Sequence, residues 1–190
     1  MSLRRLAGCV ALAGAFGLAT PAAAAVYTTA EATMASAYPG ARLEKRTLAL
    51  SAAECRSLSQ LAQVRCDSRL ITVHLAWRGD SLLAAGFVDQ RTVRTMPGVF
   101  LVVVARDTTV ARIEVLAFHE PPEYRPPSRW LGLFVRKHLD ADLWPARSIR
   151  ALSGASLSAR AITESARLAL AAYAQVLAPT LARRGAGVAR

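Results

Sequence analysis

The stretch Leu70-Ile71-Thr72-Val73-His74-Leu75-Ala76-Trp77 alternates between two faces. Ile71, Val73, Leu75 and Trp77 fall on one face, and Thr72, His74 and Ala76 on the other. That period of two marks a half-buried strand. Arg78-Gly79-Asp80 follows as a turn, and a second strand runs on through Phe87 and Val88. Residues 99–105 form a short, wholly apolar strand, and Arg106-Asp107-Thr108 turns the chain back into a further strand over 110–118. Four consecutive strands joined by short turns predict an antiparallel meander. With helical segments on either side, the fold class is α+β: an antiparallel meander sheet packed with a few helices, in a single domain.

Working toward the N-terminus, Ser51-Ala52-Ala53-Glu54 is a capping box, so a helix starts there. A strand is expected over 43–50. Before it, Thr28 or Thr29 caps a short helix that ends at Tyr38-Pro39-Gly40. Working toward the C-terminus, His119-Glu120-Pro121-Pro122-Glu123-Tyr124-Arg125-Pro126-Pro127 carries four prolines, which predicts a stiff extended loop. Ser128 is placed to cap a short helix carrying Trp130, Leu131 and Phe134. The last strong element starts near Ser156 or Ser158, with Ile162, Ala166, Leu170, Tyr173 and Leu177 along one face. Pro179 is expected to end it, leaving 179–190 as a flexible Arg/Gly-rich tail.

The chain has 190 residues, 53% of them hydrophobic and 19% charged. That suffices for one domain with a sizeable core and excludes a disordered chain. Residues 1–25 read as a secretory leader: Arg4 and Arg5, an apolar run from Leu6, then Pro21 and an Ala-rich cleavage site. The alternative is an uncleaved anchor, since the apolar run is about 20 residues long. The remaining organisation is a helix–strand–helix region over 26–64, the main domain over 65–178, and the tail. No stretch after the leader is apolar enough to span a membrane. Loss of Arg4 and Arg5 lowers the net charge from +11 to +9. In an exported protein this charge points away from nucleic acid, toward acidic proteins, an anionic membrane surface or a phosphate-bearing cofactor.

Cys55 and Cys66 are the two cysteines beyond the leader. An oxidising compartment favours a bridge between them. An unbroken helix would hold their Cα atoms about 16 Å apart, so the bridge requires the chain to reverse after about Leu61. No CxxC or HExxH pattern is present, and the three histidines are scattered.

Ser153-Gly154-Ala155-Ser156-Leu157-Ser158 stands immediately before the last helix. Serine and glycine are common at such helix starts for structural reasons alone. The same end also offers unpaired N–H groups and a positive dipole, which suit a phosphate. Residues 153–163, Ser-Gly-Ala-Ser-Leu-Ser-Ala-Arg-Ala-Ile-Thr, resemble the flavinylation motif of the FMN-binding domain family, which includes subunits of sodium-pumping NADH:quinone reductases and Rnf-type complexes. The usual pattern is Asp-x-x-Ser/Thr-Gly-Ala-Thr/Ser. Thr92-Val93-Arg94-Thr95 and the segment 113–122 are also similar to exported single-domain members. The resemblance covers about residues 65–175.

The resemblance implies a flavin transferase that takes FMN from FAD and joins its phosphate to Ser156, with Ser153, Gly154 and Ala155 as the preceding motif positions. Arg150 stands where the family has Asp. Ser158 is a further hydroxyl at the site. Phe118, Tyr124 and Trp130 are candidates to lie against the flavin ring. His119 and Glu120 are candidates to bond ring heteroatoms or to brace the proline loop. Arg94 is a candidate to pair with the phosphate or with Asp89, and Thr95 lies beside it. The implied protein is an exported electron carrier, periplasmic or on the outer face of the cytoplasmic membrane. Its implied partners are a membrane reductase or cytochromes. The alternative is a noncovalent flavin-binding or accessory module of a membrane redox complex. No GxSxG elbow supports a hydrolase.

Overall fold

The computed structural model describes residues 25–182. Apart from Ala25, the leader expected over 1–25 lies outside the described residues. Six antiparallel strands form one sheet in the order β1-β6-β5-β4-β3-β2. The long strands are β2 (Arg42–Ala49), β3 (Leu70–Arg78), β4 (Ser81–Thr92), β5 (Pro97–Ala105) and β6 (Val110–Phe118). The two-residue β1 (Ala25–Val26) pairs with the end of β6, a contact too short to leave a sequence pattern. The expected α+β meander is therefore present. Because β2 pairs with β3 along its whole length, the 26–64 and 65–178 segments share one sheet.

Helix α1 (Ala30–Ala37) is capped by Thr29, whose hydroxyl accepts from the Ala32 N–H at 3.1 Å. Helix α2 (Ala52–Ala62) starts with the capping box formed by Ser51 and Glu54. It ends at Gln63, which adopts a left-handed conformation (φ 54°) and reverses the chain. The reversal brings the Cα atoms of Cys55 and Cys66 to 5.7 Å, and the disulfide forms. Helix α3 (Ser128–Leu131) is capped at Pro127, so Ser128 is its first helical residue rather than its cap. The proline segment before it is not wholly extended: Pro122–Tyr124 forms a single 3₁₀ turn, with Pro at a position where its missing N–H costs nothing.

Helix α4 (Ser156–Ala172) packs with α2 on one sheet face. Its stripe Ile162, Ala166, Leu170, Tyr173 and Leu177 is buried, together with Ile71, Val73, Leu75, Phe87, Phe100 and Val102 from the strands. The opposite sheet face carries a smaller cluster under α1, including Met34, Ala76, Leu101 and Val103. Gly86 lets α1 sit close there, since a Cβ would lie 2.9 Å from the Met34 sulfur.

Pro179 does not end the last helix. The helical path continues to residue 182, beyond a widened turn over Tyr173–Leu177 in which the Ala178 N–H bonds the Tyr173 carbonyl. A widened turn relieves the clash that a proline ring makes with the carbonyl four residues earlier. Residues 179–182, expected to belong to a flexible tail, are therefore helical, and residues 183–190 lie outside those described.

Candidate functional site

Helix α4 opens without a side-chain cap. Ala155, not a serine, holds the capping position, with φ −132° and ψ 38°. The preceding Gly154 sits at φ +80°, a conformation that favours glycine, with open space where a Cβ would be. The first helical bond runs from the Ala159 N–H to the Ala155 carbonyl. The N–H groups of Ser156, Leu157 and Ser158 therefore lack partners within the helix. They and the aligned peptide dipoles make this end attractive to an anion.

The two hydroxyls nearest the tip differ sharply. Ser158 is 1% exposed, and its Oγ donates to the Tyr124 carbonyl at 2.6 Å. Ser156 is exposed, as is Ser153. Beside Ser156 lies a groove of about 270 Å³ lined by Arg94, Tyr124, Gly154, Ala155, Leu157 and Ser158. A second groove, of about 440 Å³, reaches the same residue from the side of Trp144, Pro145, Arg147 and Arg160. Ser156 lines both.

A chain of contacts fixes the first groove. Glu120 is buried, and its Oε1 accepts from the N–H groups of Arg94 (3.0 Å), Thr95 (2.6 Å) and Met96 (2.8 Å). The bond from Met96 is the largest influence holding the Glu120 carboxyl below the usual carboxylate range, aided by Thr95 and Arg94 and opposed by burial. This sets the turn between β4 and β5. The turn then carries Arg94 over the Tyr124 ring, 4.2 Å from its centroid. The Tyr124 carbonyl in turn receives the Ser158 hydroxyl. Glu120, Arg94, Tyr124 and the start of α4 are thereby held in one unit.

The remaining sequence candidates divide. Glu120 braces the 94–96 turn rather than the proline loop. His119 is half-buried, with Nδ1 3.0 Å from the Pro97 carbonyl oxygen, so it too supports this turn. Thr95 contributes its N–H to Glu120 while its side chain is exposed. Arg94 does not pair with Asp89; Arg91 takes that carboxylate at 2.8 Å, and Ser165 donates to it at 2.7 Å. Phe118 and Trp130 are core residues, 2% and 4% exposed. Trp130 stands edge-on to Phe134 and donates its indole N–H to the Arg150 carbonyl at 2.8 Å. Neither lines a groove beside Ser156, because β6 and α3 point them into the interior.

Sequence reasoning missed Trp144, Arg147 and Arg160. Trp144 and Arg147 lie in an irregular segment with no periodicity to read. Arg160 is one helical turn from Ser156, so its spacing was the available signal. Among the described residues, no three His, Cys, Asp or Glu side chains come together in a way that could hold a metal ion, and no helix is long and apolar enough to cross a membrane. Comparisons with protein-family models, curated proteins and solved structures found no match.

Proposed function

We propose that this chain is an exported electron carrier bearing FMN, joined through its phosphate to Ser156. The observation that carries the reading is the placing of one motif hydroxyl. Ser156 is exposed at the N-terminus of a 17-residue helix, between two grooves and beside a cation. The donor set fits a phosphoester. Three N–H groups of the first turn and the Arg94 guanidinium supply positive potential, and no carboxylate lines the Arg94 groove.

In the attachment, Ser156 Oγ loses its proton and forms a bond to the FMN-side phosphorus of FAD. The phosphoanhydride bond breaks, and AMP leaves. A flavin transferase supplies the catalysis, since no base in this chain is within hydrogen-bonding distance of Ser156 Oγ among the contacts described. Once bound, FMN supplies one- and two-electron chemistry. The residues of this chain have other tasks. Ser158 pins the helix start, Glu120 holds the turn that presents Arg94, and Gly154 leaves the approach to the helix tip open. Electron donors and acceptors would be a membrane reductase or cytochromes, met through a strongly basic surface.

The test is intact mass after coexpression with a flavin transferase active on a control substrate. The expected result is a gain of one FMN less one water, lost in Ser156→Ala and kept in Ser153→Ala. Arg150, exposed at the position where the resembled motif has an acid, favours a second reading in which flavin is held without a bond or is absent. Yellow protein that bleaches on acid precipitation supports noncovalent flavin. Colourless protein supports an accessory module.

A further inference from the structure

We propose that the groove on the Trp144 side of Ser156 receives the flavin ring, with the Trp144 indole as its stacking surface. This rests on the reading of Ser156 as the attachment point. The two grooves that meet there are chemically unlike. In the smaller, the one aromatic ring is Tyr124, and the guanidinium 4.2 Å from its centroid belongs to Arg94, itself a wall of that groove. The cation against Trp144, by contrast, does not line the larger groove. The other walls of the smaller groove are Gly154, Ala155, Leu157 and Ser158, rich in first-turn backbone N–H. That lining suits phosphate and the hydroxylated chain that follows it.

The larger groove offers an aromatic wall. Trp144 is half-buried and is followed by Pro145, so two rigid apolar surfaces stand side by side. One side of the indole is backed by Arg167, whose guanidinium lies 4.6 Å from the ring centroid. Arg167 is 1% exposed and is anchored to the Asp140 carbonyl at 2.7 Å and the Leu143 carbonyl at 3.2 Å. The segment itself is tied by bonds from the Trp144 N–H to the Asp142 carbonyl (2.6 Å) and from the Arg147 and Ile149 N–H groups to the Trp144 carbonyl (3.1 and 3.3 Å). The indole is thus held in place before any ligand arrives, which reduces the ordering cost of stacking.

Charge points the same way. Arg147 and Arg160 flank the groove, each already paired: Arg147 with Asp142 at 3.6 Å, Arg160 with Glu164 at 2.9 Å. The oxidised flavin ring is electron-poor and stacks on the electron-rich indole, and the flanking cations suit the negative charge that the ring takes on reduction.

The experiment uses the full chain flavinylated by a coexpressed transferase and labelled with 5-fluorotryptophan. The chain has three tryptophans, Trp77, Trp130 and Trp144, which give three fluorine resonances. Trp144→Phe assigns one of them. On flavinylation the Trp144 resonance is expected to move by the flavin ring current, while those of the other two stay fixed. Trp144→Leu is expected to carry the same added mass and to raise flavin fluorescence several-fold, with Tyr124→Leu much less affected. A fixed Trp144 resonance in fully flavinylated wild-type protein overturns this proposal and leaves Ser156 attachment standing. A larger fluorescence gain in Tyr124→Leu than in Trp144→Leu also overturns it, by placing the ring in the other groove. Wild-type protein with no added mass overturns both the proposal and the attachment.

Discussion

Replacing Arg167 by Met tests the frame on which the Trp144 groove rests. Arg167 lies on the buried side of α4; among the described residues no carboxylate is within ion-pair distance of it, and Asp140 acts on it only from further off. Its Nε donates to the Ala62 carbonyl at 2.6 Å, at the end of α2, and its other nitrogens reach the Asp140 and Leu143 carbonyls and the Gln63 side chain. Burial pulls its pKa below the ordinary arginine value, but the group stays charged at neutral pH. The cation sits at the negative end of α2, which favours it. Met fills much of the volume and supplies no donor. Three backbone carbonyls then lose a partner, each at a cost of about 1–3 kcal/mol when buried. Against this, the guanidinium no longer has to be desolvated, a relief of several kcal/mol.

The net expectation for Arg167→Met is a loss of about 3 kcal/mol, the lower end of what breaking a buried charged set costs. For a chain of this size that lowers the melting midpoint by roughly 6–12 °C. Urea denaturation followed by circular dichroism measures the free energy. Trp144 fluorescence reports the lost guanidinium–indole contact separately. Arg167→Lys, which keeps the charge but not the planar fork, should fall between the two. A change under about 1 kcal/mol, or a gain, refutes the reasoning, because buried ionic sets are sometimes replaced by apolar side chains at no cost.

Reducing the Cys55–Cys66 bridge, which closes a sequence separation of 11, should cost about 3 kcal/mol, read as a lower urea midpoint with reductant than without; an unmoved midpoint counts against the bridge. For Glu120, a lowered folded pKa means stability that is present above the ordinary carboxylate value and lost as pH falls. Glu120→Gln should therefore be less stable than wild type by about 1–2 kcal/mol at pH 7, with the gap closing below about pH 4. His74 is buried under α1, and burial, aided by Lys45 and opposed by Glu31, lowers its pKa. The unfolded chain takes up the proton first, so stability is full above the ordinary histidine value near 6.5 and falls as pH drops below it. His74→Leu should flatten that part of a stability-versus-pH curve, and an unchanged slope would remove His74 from the account.

Local rules made most of the architecture readable. The capping box at Ser51, the alternation from Leu70 and the turn at Arg106-Asp107-Thr108 each depend on neighbours a few residues away, and each appears as expected. What escaped was long-range. The pairing of Ala25 and Val26 with β6 depends on residues about ninety positions on. Arg167 is a charge on a buried stripe, satisfied by carbonyls more than twenty residues distant, which no periodicity reveals. The segment 135–155 has no regular element, so Trp144 could be placed only by seeing what Arg167 holds. The same limit misdirected the choice of aromatics: Phe118 and Trp130 flank motif-like residues in sequence, yet strand register and helix packing turn them inward.

Ser156 and Ser158 show how the fold decides between equal chemistries. Two residues apart on a helix, they point about 200° apart around its axis, so only one faces the interior. Ser158 is that one, and its donation to the Tyr124 carbonyl leaves it neither exposed nor free. Ser158→Ala should strand that carbonyl and cost about 1–2 kcal/mol, while Ser156→Ala, at an exposed position, should change stability by less than about 0.5 kcal/mol. Flavinylation should follow the opposite order: kept in folded Ser158→Ala and lost in Ser156→Ala. Thermal melts and intact mass on the same two variants give four readings. If the pattern is inverted, with Ser158→Ala stable and unmodified, the inward hydroxyl is the acceptor and the start of α4 must open for the transferase to reach it.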